Sequence, residues 1–325
     1  MKPKFSSIFC GVGCPFLGAE WAGFESLFGV ETRKYFNIKT FRYNFPKTLY
    51  STDIDAFQNL YSDVIWLSPS CGEFSSASRG TQHAANMQAK SFTDYEYVKA
   101  VMQVVTRRPP IFILENVPSV KSFVRFEATP AGFVLRHQIT REYVELYEYY
   151  IEEHRIIPTE VGVAQVRDRL FTIGSRYPNE FLFKPPLVDN RATMSTRSTF
   201  EELDKLREQG IPLFNDNIPK HSEEKIEKMS RIRPGEGLYG GINNKRLDPD
   251  KPAPVIMSSS TKYIHPWYDR LYTPREAAAL MGIPNTFRFF GKENACFDQI
   301  GKGIVPQVAE FILKQVFEFL IQKKE

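Results

Sequence analysis

Short apolar runs alternate with amphipathic stretches from Phe5 to Gly174. The segments "SSIFC", "DVIWL", "IFILENV" and "RLFTIG" are apolar with little polar interruption, as strands buried on both faces are. That alternation predicts an α/β protein built on a doubly wound, mostly parallel sheet with helices on both faces. Between roughly Tyr177 and Leu271 the texture changes to charged, Pro-rich and Gly-rich sequence, including "FKPPLVDNR", "RIRPGEGLYGG" and "RLDPDKPAP". A second, smaller lobe belongs there. Beyond it, "TPREAAALMGI" predicts a helix with Thr273 as N-cap and Pro274 at the first helical position. Apolar spacing from Pro306 to Leu320 predicts a last helix that packs back on the sheet. The expected division is a main domain over residues 1–178, the lobe over 179–284 and a returning segment over 285–325.

With 325 residues, 42% of them hydrophobic, the chain can bury a large core. Its formal charge of +4 is compatible with a polyanionic partner and too mild to demand one. The four cysteines, Cys10, Cys14, Cys71 and Cys296, form neither a disulfide framework nor a zinc pattern with suitable His partners. Free thiols, no metal and a reducing cytoplasm are expected. The apolar stretch near the N-terminus is short and broken by glycines, unlike a signal peptide. Nowhere do about 18 uninterrupted apolar residues occur, so no membrane span is expected.

The first predicted strand runs into "FCGVGCPFLGAEWAGF", which sets Gly11, Gly13 and Gly18 at a strand-to-helix turn. Glycines there let the backbone approach a nucleotide-like ligand, and the helix N-terminus offers free N–H groups. A tight turn in any doubly wound fold would account for them equally well. Two acids follow where such a sheet presents residues to the same ligand: Glu31 after "LFGV" and Asp53 in "STDI". A carboxylate at the end of the second strand can accept both ribose hydroxyls, although an isolated acid at a strand end is more often only solvated.

Further on, "DVIWLSPSCGEFS" places Cys71 beyond a buried strand, in a loop of Pro, Ser and Gly. Glu115 and Asn116 end the strand of "IFILENVPSV", and Gln165, Arg167 and Arg169 precede that of "AQVRDRLFTIG". In a parallel sheet such positions are expected at the one edge where ligands bind, so that a thiol, a carboxyl and two guanidiniums converge.

The ordered set "FCGVGCPFLG", "SPSCGEFS", "LENV", "QVRDR", "TPREAAALMGIP" and "QIGKGIVPQ" resembles the motif series of the cytosine carbon-5 DNA methyltransferases and spans nearly the whole chain. The resemblance implies a Rossmann-like fold that binds S-adenosylmethionine, with residues 179–284 as target-recognition region and double-stranded DNA as partner to a monomer. It also implies that the target base is flipped out of the duplex. Carbon 5 of cytosine is too poor a nucleophile to attack a sulfonium, and a thiolate added to carbon 6 makes it enamine-like. Cys71 is implied as that thiolate and Glu115 as the acid that shares a proton with the ring nitrogen. Arg169, with Arg167, would hold the base oxygen and the catalytic loop. Phe9 would stack near the adenine, Glu31 would hold the ribose, and Asp53 with Ile54 would meet the adenine edge.

Three positions depart from the family. Ser70 stands where Pro is usual and Gly72 where Gln is common, which suggests a roomier loop. Lys302, in "GKGIVP", stands where the family generally has Asn beside the donor. An ammonium about 5 Å from a sulfonium would be repelled by roughly 3 kcal/mol at an effective dielectric of about 20. A donor carrying a carboxylate on the transferred carbon, carboxy-S-adenosylmethionine, reverses that sign, because Lys302 could pair with the anion. Small Gly72 and Gly303 would leave space for the larger group. Two donors therefore stand side by side: carboxy-S-adenosylmethionine giving carboxymethylcytosine, and S-adenosylmethionine giving methylcytosine with Lys302 turned to solvent or to the donor's amino-acid carboxylate. Transfer to RNA is disfavoured because "PSCGEFS" lacks the Cys-Phe-Thr signature of that branch. A catalytically silent DNA-binding relative is disfavoured because Cys71, Glu115 and Arg169 are all retained.

Overall fold

The computed structural model describes residues 1–33, 38–74, 91–187, 194–237, 244–257 and 262–324. The ends of "SPSCGEFS", "FKPPLVDNR" and "RIRPGEGLYGG" lie outside them. In chain order the strands and helices are β1 (Lys4–Ile8), α1 (Cys14–Ala22), β2 (Glu25–Val30), α2 (Ile38–Asn44), β3 (Leu49–Ser51), β4 (Val64–Leu67), α3 (Glu96–Arg107) and β5 (Ile111–Asn116). There follow β6 (Val124–Thr129), β7 (Gly132–His137), β8 (Tyr143–Leu146), β9 (Tyr150–Ile156) and β10 (Arg169–Ser175). The remaining helices are α4 (Arg197–Glu208), α5 (Glu223–Ser230), α6 (Pro274–Leu280), α7 (Glu293–Gly301) and α8 (Pro306–Gln322).

The predicted apolar runs are β1, β4, β5 and β10, central to a seven-stranded sheet of order β3-β2-β1-β4-β5-β10-β9. Strands β1 to β5 pair in parallel. Side chains alternate between two cores because strand residues point to opposite faces. Phe5, Val64, Trp66, Ile111 and Ile113 join the apolar sides of α1 and α8 on one face. Ile8, Ile65, Leu67, Phe112 and Leu114 meet Val98, Val101 and Val104 of α3 on the other.

One expectation is corrected. β10 runs antiparallel to both β5 and β9, so it is the beginning of β10, not its end, that lies beside the C-terminal ends of the parallel strands. The proximity expected of Arg169 and Glu115 holds for this reason and not because the sheet is uniformly parallel. Helices lie on both faces as expected, with one addition. The connection from β5 to β9 is a three-stranded antiparallel sheet, β6-β7-β8, whose Val124, Leu135 and Leu146 complete the α3 face.

Thr273 caps α6 as expected, accepting from the Glu276 N–H while Glu276 accepts from the Thr273 N–H. α8 lies along α1. A Cβ at Gly18 would stand 2.6 Å from the Glu310 nitrogen and 2.6 Å from the Ala309 Cβ. Gly18 therefore serves helix packing. Phe181, Phe183, Phe200, Ala253, Ile256 and Tyr272 share the α1–α8 core with the sheet. No described helix is long and apolar enough to cross a membrane.

Candidate active site

Ser70 opens the turn that begins at Cys71, its hydroxyl accepting from the Gly72 N–H. Cys71 itself is half-buried. The loop is pinned from three elements. The Ser70 N–H donates to the Glu96 carboxylate at 2.9 Å. Asn116, at the end of β5, donates its amide to the Pro69 carbonyl at 3.2 Å and accepts the Val117 N–H. Ser119 donates to the Phe74 carbonyl at 2.5 Å. Glu96 and Ser119 carried no sequence signal, since both are common polar residues whose partners lie far along the chain.

Glu115 is buried, and the Arg169 Nε stands 3.2 Å from its Oε1. Burial raises the carboxyl above its ordinary range, while Arg169, then Arg167 and Arg33, pull it part of the way back. A carboxyl raised in the fold takes up a proton on folding at pH values between its unfolded and folded pKa. Stability from this group is therefore greatest below the ordinary value of 4.5 and declines as pH climbs through the folded value. Glu115→Gln should lack that decline. Denaturation midpoints of wild type and variant, measured from pH 4.5 upward, should diverge with the variant relatively more stable at the higher pH. Parallel curves would rule it out.

Arg167 is also buried and holds backbone. It donates to the Ile256 carbonyl at 3.0 Å, Gly301 at 2.9 Å and Gly303 at 3.1 Å. Burial, then the neighbouring Arg169 charge, lowers its pKa. It fixes the turn that carries Lys302. A Cβ on Gly303 would come within 3.1 Å of both the Cys14 sulfur and the Ile300 carbonyl, so this glycine is used by packing and does not provide the space expected of it. At Gly72, by contrast, an added Cβ would meet, among the described residues, the Ser70 hydroxyl at 3.4 Å.

Lys302 lies at the C-terminal end of α7, exposed as a residue. Partial burial of its ammonium lowers its pKa. Asp298 opposes that shift, Arg33 adds to it, and Cys71 opposes it. Lys302 thus stands near enough to Arg33 and to the Cys71 loop for both to bear on its ammonium.

The β1–α1 turn supplies the other side. Phe9, Gly11 and Gly13 all have positive φ, at 57°, 58° and 97°. At Gly13 a Cβ would strike the Phe45 ring at 2.3 Å. Glu31, buried at the end of β2, accepts the Gly11 N–H at 2.7 Å. The glycine turn and the buried acid form a cradle of the kind an adenosine moiety fits. Arg33, which sequence reasoning missed, forks onto the same carboxylate: Nε donates to Oε1 at 2.7 Å and Nη2 to Oε2 at 2.6 Å. Its guanidinium also lies over the Phe9 ring, 5.7 Å from the centroid. Asp53 is exposed and accepts the Asp55 N–H, with Ile54 half-buried beside it. Among the described residues, no group of three or more His, Cys, Asp or Glu is placed to hold a metal ion.

Residues 3–318 match the model of the family described as C-5 cytosine-specific DNA methylase. The chain is 26% identical over 341 residues to the type II methyltransferase M1.HphI of Haemophilus parahaemolyticus, covering 98% of this chain and 87% of that one. The structure superimposes on a protein of Escherichia coli, titled as a prophage-encoded DNA modification methyltransferase, with TM-score 0.69 and 23% identity over 98% of this chain and 99% of that one. The DNMT2 structure of Spodoptera frugiperda shares the fold at TM-score 0.57 and 13% identity, covering 98% of this chain and 99% of the other.

Proposed function

The chain belongs to the C-5 cytosine-specific DNA methylase family, and on that premise we propose that it transfers a carboxymethyl group from carboxy-S-adenosylmethionine to carbon 5 of a flipped cytosine in double-stranded DNA. The donor, when bound, supplies an electrophilic carbon and leaves as a neutral thioether. The Cys71 thiolate forms the bond to carbon 6 and leaves again, as thiolate, when carbon 5 gives up its proton to water. Glu115, whose carboxyl pKa burial raises, donates a proton to the ring nitrogen as the thiolate adds and takes it back when the thiolate leaves, which balances the electron pair pushed into the ring. Arg169 orients Glu115, and Arg167 keeps the Lys302 turn in place. Residues 179–284 are read as the region that engages the DNA, with the protein acting as a monomer in the cytoplasm.

The observation that carries the carboxymethyl reading is Lys302, whose ammonium is near enough to Arg33 and Cys71 to be influenced by them. A bare sulfonium placed beside this ammonium is repelled, whereas a carboxylate on the transferred carbon is attracted. Ordinary methyl transfer from S-adenosylmethionine is the second reading, and Asp298 favours it, because its charge offsets part of that of Lys302.

The test is to incubate the enzyme and duplex DNA with each donor and to identify the product nucleosides by mass. Carboxymethylcytosine is expected. Methylcytosine alone, with the carboxylated donor in excess, would reject the proposed donor while leaving the family chemistry intact.

A further inference from the structure

Glu31 is saturated. A carboxylate has about four acceptor sites, and here the Gly11 N–H, the Arg33 N–H and two guanidinium N–H groups of Arg33 all donate to it, at 2.6–2.8 Å. The two ribose hydroxyls assigned to this carboxylate therefore have nowhere to donate unless the guanidinium leaves. The same guanidinium lies over the ring of Phe9, which was assigned to the adenine. Arg33 thus stands at two positions meant for the donor, a coincidence that an ordinary surface ion pair would not produce. The pair is well removed from water, with the Glu31 side chain fully buried and that of Arg33 11% exposed. Nη2 of Arg33 also donates to the Phe9 carbonyl at 3.1 Å.

We propose that Arg33 is an internal competitor for the donor: its guanidinium holds Glu31 and covers Phe9 until the adenosine moiety displaces it, so that Arg33 sets donor affinity. The inference rests on the donor-site reading above. It does not depend on whether methyl or carboxymethyl is transferred. Its chemistry is an exchange of hydrogen bonds, in which the fork to Glu31 is replaced by two ribose hydroxyls while the backbone donors of Gly11 and Arg33 remain. A displaced guanidinium remains near the Lys302 charge, and like-charge repulsion there adds to the cost of opening. The fork is strong because it is charge-assisted and bidentate, and lysine cannot reproduce its planar geometry.

The experiment measures dissociation constants of S-adenosylhomocysteine and of 5′-methylthioadenosine by calorimetry on wild type, Arg33→Met and Arg33→Lys. Both ligands carry the ribose and lack the sulfonium, and the second also lacks the amino-acid charges. Arg33→Met should bind both about tenfold more tightly, and Arg33→Lys should gain less. A side chain needed only for structure would weaken binding when removed, so tightening is the distinguishing sign. Equal or weaker binding of methylthioadenosine by Arg33→Met overturns the proposal. Weaker binding of homocysteine adduct alone would also overturn it, because Arg33 would then be a direct contact to the amino-acid carboxylate. Should Arg33→Met not fold with Glu31 left unpaired, Arg33→Lys decides: tighter binding supports competition, and unchanged or weaker binding overturns it. A wild type that binds neither ligand yet modifies cytosine defeats the donor-site reading itself. A wild type that binds both with no gain in the variants defeats only the role of Arg33.

Discussion

Cys71→Ser should lower cytosine transfer by at least about 10³-fold while leaving the folded structure and donor binding unchanged. A serine hydroxyl at the same position is almost entirely protonated near neutral pH and is a much weaker nucleophile toward carbon 6. Without that bond, carbon 5 does not become electron-rich, so the loss should appear in turnover and not in affinity. The thiol is half-buried at the start of a tight turn, where exchanging sulfur for oxygen disturbs little packing. Single-turnover rates on duplex DNA, alongside calorimetric binding of S-adenosylhomocysteine, separate the two effects. Wild type should also be trapped covalently on DNA containing 5-fluorocytosine, because fluorine at carbon 5 cannot leave as a proton does. A Cys71→Ser variant that keeps wild-type turnover, or a wild type that gives no trapped complex, would remove the thiol from the mechanism.

Lys302→Asn should move donor preference from the carboxylated toward the simple methyl donor. At full strength the repulsion estimated for a sulfonium near the ammonium, roughly 3 kcal/mol, corresponds to about 10²-fold in relative kcat/KM. Lys302 is exposed and Asp298 lies close, so screening reduces the expected change to about tenfold. The same substitution should leave trapping on fluorocytosine DNA intact, since Cys71 and Glu115 are untouched. Competition between the two donors in one reaction, with products counted by mass, gives the ratio directly. An unchanged ratio would return Lys302 to a solvent-facing role and leave methyl transfer as the simpler account.

The two substitutions probe different layers of the same site. Cys71 acts on the base, whatever group is transferred. Lys302 acts on the donor, whatever bond the thiol makes. Loss of turnover in one and altered product in the other is the pattern expected of a site in which nucleophile and donor selection sit on separate loops, the first after β4 and the second after α7. Asn116 and Arg167 hold those loops by donating to backbone carbonyls.

Much of this arrangement was legible in the chain itself. The apolar runs that became β1, β4, β5 and β10 are long enough and apolar enough to be read without a partner, because burial on both faces leaves its mark on every residue of a strand. Thr273 and Pro274 announce the start of α6 through chemistry confined to one turn. Cys71, Glu115 and Arg169 are recognisable from the short segments around them, whose order along the chain is that of the family.

Other features depended on which segments meet and in which direction. The reversal of β10 sets Arg169 against Glu115, the backbone of α8 takes up the space at Gly18, and Cys14 takes up that at Gly303. Arg33 illustrates the difference most clearly: in sequence it is a basic residue two places after an acid, and only the packed turn of β1 shows its guanidinium on both Glu31 and Phe9. Strand character and caps are determined by neighbours a few residues away, so the sequence alone specifies them. Strand direction, close approach of backbones and the competition for one buried carboxylate arise between segments remote in the chain, and those only the tertiary structure decided.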